Sequence, residues 1–249
     1  MPATDVAALA ALVFVAATIY SSVGHAGASG YLAAMALFGL PPAVMRPTAL
    51  TLNVLVACLA TVRLRQARLV GWRPLLPLCS ASIPAAFVGG TIQLPGHWYR
   101  TLVGIVLIAA AWKLFVDPKD ASKPAHPEAS VVPWWPALLT GLVVGLLSGL
   151  TGTGGGIFLS PLLIFFGWSG ARQQAGITAP FILVNSIAGL AGNWVSLQRL
   201  PAELPYFVVA ALLGGVLGTQ LGIRWLSVRA LQRALAVVLV VAALKFVLS

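Results

Sequence analysis

Apolar positions run through this chain in long blocks that no charge interrupts. Residues 6–45, 74–99, 129–171, 173–198 and 204–223 contain no Asp, Glu, Lys or Arg. Each block is long enough for at least one membrane span of about 20 residues. Divided at glycine, proline and basic positions, the pattern predicts ten helical segments in two sets of five. The first set is 5–22, 28–40, 43–63, 73–94 and 98–116. The second is 136–150, 154–168, 172–195, 203–223 and 228–248. The fold class expected is an all-α polytopic membrane protein. The second segment of each set is short and starts at a glycine-rich break in the middle of a greasy region.

Composition agrees. Of 249 residues, 59% are hydrophobic and 8% charged, against about 45–50% and about 25% in soluble domains. So many long runs exclude a lone signal peptide. The net charge of +10 does not point to nucleic acid. The basic residues lie at span ends, where cytoplasmic loops collect them, and no soluble basic face is present to carry such a partner. Trp72, Trp98, Trp134, Trp135 and Trp225 sit near span ends and read as an interfacial belt. Cys58 and Cys79 fall in apolar segments without metal-ligand spacing.

The two sets resemble each other. "VGHAGASGYLAAMALFGL" (23–40) aligns with "TGTGGGIFLSPLLIFFGW" (151–168) at an offset of 128. "IVLIAAAWKLFV" (105–116) aligns with "VVLVVAALKFVL" (237–248) at an offset of 132, pairing Lys113 with Lys245. Between them lies the polar, proline-rich "DPKDASKPAHPEASVVPWWP". The expected organisation is therefore a first half (1–116), a linker (117–135) and a second half (136–249). Arg63, Arg65, Arg68 and Arg73 flank the loop between the third and fourth segments of the first half. The matching loop of the second half holds Arg199 beside Glu203. The next loop shows the reverse bias, with Arg224, Arg229 and Arg233 in the second half. Corresponding loops thus fall on opposite sides of the membrane. This predicts an inverted repeat, with the linker in the cytoplasm and both termini periplasmic.

Inverted repeats with broken helices place a substrate site near the midplane, where the halves meet. A helix that starts after a mid-membrane turn aims free N–H groups and a positive dipole end into the gap. Such a place binds an anion without a cationic side chain. The candidates are Gly24, His25, Ala28 and Ser29 at the first break. At the second they are Gly152, Thr153, Gly154, Gly155 and Gly156, with Thr151 beside them. The alternative is close helix packing through small residues, which fits "GLVVG" (141–145) well. Three consecutive glycines are too many for a packed helix, since each costs about 1 kcal/mol against Ala. The phosphate-loop pattern with its Lys is absent.

At these residues the chain resembles the sulfite exporter TauE/SafE family. "GLTGTGGGIFLSPLLIFFG" is similar to the family's glycine run, followed by a helix with an early Pro. "SVGHAGASGYLAAMALFGLPPAVMRPTALTLN" is a variant of it, with His25, Ala28 and Ser29 where consecutive glycines are usual. The resemblance covers nearly the whole chain. It implies a carrier in the bacterial inner membrane that exports a small sulfur-containing anion, sulfite or an organosulfonate such as sulfoacetate. The expected partners are that anion and the lipid bilayer, and the expected state is a monomer or homodimer.

Other intramembrane polar residues join the candidates. Arg46, between prolines, is either a bidentate cation for a sulfonate or an interfacial arginine reaching water. Gln174 stands at the matching place in the second half, and Arg172 nearby reads as a cytoplasmic interface charge. His25 is either a proton-responsive site group or a neutral packing histidine. Asn53 and Asn185 either face the site or bridge helices. All five acids (Asp5, Asp117, Asp120, Glu128 and Glu203) lie in termini or loops, so proton or sodium coupling through a membrane carboxylate is not expected. Facilitated export of the anion, with one half rocking on the other, is the simplest mechanism. An anion channel and a carrier for a non-sulfur organic anion are the alternatives. No catalytic constellation, metal cluster or cofactor motif is present, and an enzyme is not expected.

Overall fold

The computed structural model describes residues 1–95, 97–99, 101–105, 108, 112, 132–169, 171–224 and 240. The helices are α1 (Ala3–Ser22), α2 (Ala28–Leu37), α3 (Pro42–Gln66), α4 (Trp72–Thr91), α5 (Trp134–Thr151), α6 (Gly156–Phe165), α7 (Ala171–Gly192) and α8 (Leu204–Arg224). A 3-10 turn, Trp194–Arg199, links α7 to α8. Among the described residues there is no strand. Among the described residues six helices are long and apolar enough to cross a membrane. The chain is an all-α multi-pass membrane protein. Most of the last segment of each expected half, including Lys113 and Lys245, lies outside the described residues, as do the linker core 117–131 and Trp225.

The short segments are short for a local reason. Gly27 caps α2 at φ +105°, and Gly155 precedes α6 at φ +80°. At the other end Gly39 and Gly167 turn the chain at φ +71° and +65°. Leu40 N–H then donates to the Met35 carbonyl (3.1 Å), and Trp168 N–H to the Leu163 carbonyl (2.8 Å). This bond, with its left-handed glycine, closes a Schellman-type end. All these residues pair at the offset of 128 read from the sequence. Each helix keeps ten residues, about 15 Å at 1.5 Å per residue. That is roughly half of a ~30 Å hydrocarbon core.

Glycine stripes set how the long helices pack. Gly141, Gly145 and Gly149 of α5 lie against the carbonyls of Leu78, Ser82 and Ala86 of α4. Gly214, Gly218 and Gly222 of α8 lie against those of Phe14, Thr18 and Ser22 of α1. Both series rise together in steps of four, so each pair runs parallel. A Cβ at any of these glycines would come within 2.4 Å of a backbone oxygen. Small residues are what let membrane helices approach this closely.

The third segments run the other way. Leu50 meets Gly189, Asn53 meets Ser186, and Ala60 and Leu64 cluster with Ala179. Positions along α3 rise as those along α7 fall, so these helices are antiparallel. The buried core divides accordingly. One cluster joins α1, α2, α3 and α8 and takes in Ile157 of α6 and Ile182 of α7, and a second joins α4, α5, α6 and α7. Trp72, Trp98, Trp134 and Trp135 are exposed at helix ends, where an interfacial belt belongs.

Candidate functional site at the two helix breaks

The two breaks meet inside the protein. Each packs on the start of the other half's third helix. A Cβ on Gly24 would strike Ala175 of α7, and one on Gly152 would come within 3.0 Å of Arg46 Cγ on α3. From the first break, His25 reaches across to the second. Its Nε2 lies 3.1 Å from the Gly156 carbonyl and 2.8 Å from Ser160 Oγ, and its Nδ1 lies 3.3 Å from the Val23 carbonyl. Ser160 Oγ continues to Thr178 Oγ1 of α7 at 3.5 Å.

A second polar group surrounds Gly154. Asn53 Nδ2 donates to the Thr153 carbonyl at 3.2 Å and lies 3.4 Å from Ser186 Oγ. Gly154 has φ +74°, and a Cβ there would sit 2.5 Å from Asn53 Nδ2 and 2.7 Å from Ser186 Oγ. Only glycine fits both the backbone angle and the space. Thr153 Oγ1 pairs with Thr151 Oγ1 at 2.9 Å, and Tyr99 donates to the Thr151 carbonyl at 3.1 Å.

The backbone donors divide into used and unused. Gly152 N–H bonds the Ser148 carbonyl, Gly24 N–H that of Ser21 and His25 N–H that of Tyr20. The N–H groups of Gly154, Gly155, Gly156 and Ile157 have no acceptor among the described residues, and neither do those of Ala26 through Gly30. These are the free first-turn donors that every helix start leaves. Here they lie buried and next to a second such start. Free N–H groups at a helix start are donors of the kind that an anion's oxygens accept from.

The expected side chains divide. His25, Asn53, Thr153 and Gly152 to Gly156 converge. Ala28 is buried in the first turn of α2 and has only its N–H to offer. Ser29 turns away and donates to Tyr20 Oη at 2.7 Å. Asn185 donates to the Phe181 carbonyl of its own helix at 2.8 Å, leaving its buried Oδ1 unpartnered. Gln174 is buried at the start of α7, beside Ala175. The described apolar groove between Ile83, Pro84, Phe87 and Val88 of α4 and Val184, Ile187 and Ala188 of α7 has no polar partner for an anion.

Arg46 is held by carbonyls. Its Nη1 donates to the Ile92 carbonyl at 2.8 Å, and its Nη2 to those of Gly89 (2.6 Å), Gly90 (2.9 Å) and Gly149. These close the C-terminal ends of α4 and α5, where a cation also complements the helix dipole. Nε remains without a partner.

Ser160, Ser186 and Tyr99 were missed in the sequence. Ser160 was legible in part, because it lies one helical turn past Gly156, on the same face. Ser186 and Tyr99 enter through tertiary packing, which no local pattern encodes.

The family model described as Sulfite exporter TauE/SafE matches residues 9–246. The chain belongs to this family. A TauE/SafE relative, the probable membrane transporter protein y4hK of Sinorhizobium fredii, is 39% identical over 242 residues, covering 97% of this chain and 98% of its own. No solved structure matches. Family and relative agree that a TauE/SafE chain of this kind is a membrane transporter.

Proposed function

We propose that the protein exports a small sulfur-containing anion, sulfite or an organosulfonate such as sulfoacetate, across the bacterial cell membrane by alternating access. The anion's oxygens are held by backbone N–H groups at the two breaks, with His25 and Asn53 beside them. The observation that carries this reading is the meeting of two buried helix starts with unbonded N–H groups. Buried donors of this kind cost about 1–3 kcal/mol each when nothing accepts from them, and an anion supplies acceptors. The family's description supplies the sulfur oxyanion.

The packing supports two halves of opposite orientation. Antiparallel α3 and α7 are what an inverted repeat requires of equivalent segments. Parallel α4 and α5 start at one end of the molecule, beside the arginine-rich turn after α3. The positive-inside bias makes that end cytoplasmic, which puts the linker inside and both termini outside.

The test is calorimetric binding to purified protein, using sulfite, sulfate, sulfoacetate, isethionate, pyruvate and chloride. Gly155→Val and Gly167→Ala are compared with wild type. Both glycines have positive φ, but a Cβ at Gly155 meets Phe181 and Val144 near 3 Å, whereas at Gly167 it meets nothing within 4 Å. Selective binding of a sulfur anion is expected, retained in Gly167→Ala and weakened at least roughly tenfold in Gly155→Val, about 1.4 kcal/mol. Equal binding in both variants would show that the second break is packing alone.

A further inference from the structure

Two buried carboxamides near the second break each keep an acceptor that nothing uses. Asn53 Nδ2 donates to the Thr153 carbonyl at 3.2 Å, and Asn185 Nδ2 to the Phe181 carbonyl at 2.8 Å. A carbonyl oxygen only accepts, so neither amide can be turned round without setting oxygen against oxygen. The hydrogen bonds thereby assign Oδ1 as the outstanding atom in both. Both residues are 0% exposed, and neither Oδ1 has a partner among the described residues. The two stand 132 positions apart, the offset at which the ends of the two halves align. They differ in what they touch. The Asn53 carboxamide lies against the break itself, since a Cβ on Gly154 would sit 2.5 Å from its Nδ2. Asn185 lies one turn beyond Phe181 and bonds back along its own helix.

Free donors and a free acceptor therefore occur side by side. The N–H groups of Gly154, Gly155 and Gly156 have no acceptor among the described residues, and Asn53 Oδ1 has no donor. Ser148 Oγ, near Gly155, is also buried and unbonded, but a hydroxyl gives or takes and does not discriminate. An anion whose oxygens only accept answers the N–H groups and leaves the Asn53 oxygen bare beside added negative charge. A buried acceptor in that state costs about 1–3 kcal/mol. An anion with a hydroxyl of its own answers both kinds of group. An ammonium would also donate, but it would bring positive charge to the positive end of α6.

We propose that Asn53 selects among anions by accepting a hydrogen bond from a hydroxyl on the substrate. This rests on reading the breaks as the anion site. It narrows the substrate to an anion with its own O–H, a hydroxyalkanesulfonate or hydrogensulfite, in preference to sulfate or sulfoacetate. The sulfur oxygens take the free N–H groups, and the hydroxyl hydrogen goes to Asn53 Oδ1. A site built to bond a substrate hydroxyl rejects the analogue lacking it far more strongly than an apolar pocket rejects a missing methylene, because a buried polar group is then left unpaired.

Isethionate and ethanesulfonate are the probes, because they differ only in a hydroxyl at the end away from the sulfonate. Their affinities are measured by calorimetry on the purified full chain. Wild type is expected to bind isethionate at least roughly tenfold more tightly, about 1.4 kcal/mol. Asn53→Leu and Asn53→Ala should each bring the ratio close to one, by weakening isethionate more than ethanesulfonate. The readout is a ratio, so a general loss of affinity does not obscure it, and either variant suffices where the other fails to fold. Equal binding of the two anions by wild type is what a carboxamide that only clamps Thr153, or that bonds a resident water, would give. That result overturns the selection and leaves the anion site standing. A preference that survives both Asn53 substitutions overturns the assignment to Asn53, as does its loss in Asn185→Leu alone. Failure of every sulfur anion to bind overturns both readings.

Discussion

At the scale of single residues, Arg46 separates what a sequence reveals from what it hides. A lone arginine between prolines in an apolar stretch announces itself as functional or costly. Its partners do not, because they are backbone carbonyls 43 to 103 positions away. Four of them gather on one guanidinium, so the arginine serves first as a C-terminal clamp joining α4 to α5. Hydrogen bonds to charged groups contribute about 1.5–3 kcal/mol each. Lysine carries the charge on a single point and cannot fork to both helix ends. Arg46→Lys is therefore expected to lower the thermal midpoint in detergent by several degrees, a loss of about 2–4 kcal/mol. An unchanged midpoint would mean the carbonyl contacts carry no stability. His25 and Asn53 were legible as polar groups near the breaks. Which atoms they face was not, since that depends on α6 and α7 arriving from the other half.

At the scale of helices, local chemistry was readable because it is written locally. Charge-free blocks and glycine or proline stops gave the spans that fall in the described residues to within a few residues. The glycine run gave both breaks, since left-handed φ at Gly27, Gly152, Gly154 and Gly155 is what glycine alone adopts freely. Helix partners were not readable. "GLVVG" announced close packing, but not that α5 would lie on α4 rather than on its own half. Gly145 and Gly189 make the distinction testable. A Cβ on Gly145 would lie 2.3 Å from the Ser82 carbonyl oxygen, whereas on Gly189 its nearest neighbour is 3.5 Å away. Gly145→Ala must push two backbones apart and is expected to cost about 1–3 kcal/mol as an overpacked contact. Gly189→Ala meets ordinary contacts and should be neutral or stabilising by about 0.5–1 kcal/mol, through helix propensity. Thermal unfolding of the two variants reads the difference. Equal midpoints would remove the stripe as the determinant of the α4–α5 contact.

At the scale of the molecule, the packing changes what can move. Rocking one half of the sequence against the other would separate α4 from α5 and α1 from α8. Those are the pairs in which backbone touches backbone along three successive turns. Close-packed interfaces of this kind do not slide by small amounts without clashes. The contacts between α3 and α7 are looser. They run through Asn53, Ser186 and small side chains, and a Cβ on Gly189 would meet nothing closer than 3.5 Å, although α7 also lies backbone to backbone against α4 where Gly192 meets the Phe87 carbonyl. We therefore propose that the bodies that move in carriage are the two glycine-striped pairs, each built from one helix of either half, hinged at the breaks and along α3 and α7. Arg46 belongs to this division, because it fastens α4 to α5 within one such body. Hydrogen exchange with and without bound anion tests the idea. Binding should slow exchange at 24–30 and 152–157 and alter it along α3 and α7. Exchange in the facing stretches of α4 with α5, and of α1 with α8, should stay slow in both states. Opening of either striped pair on anion release would return the motion to the two sequence halves. Opening elsewhere, with both pairs closed, is what carriage by paired bodies demands.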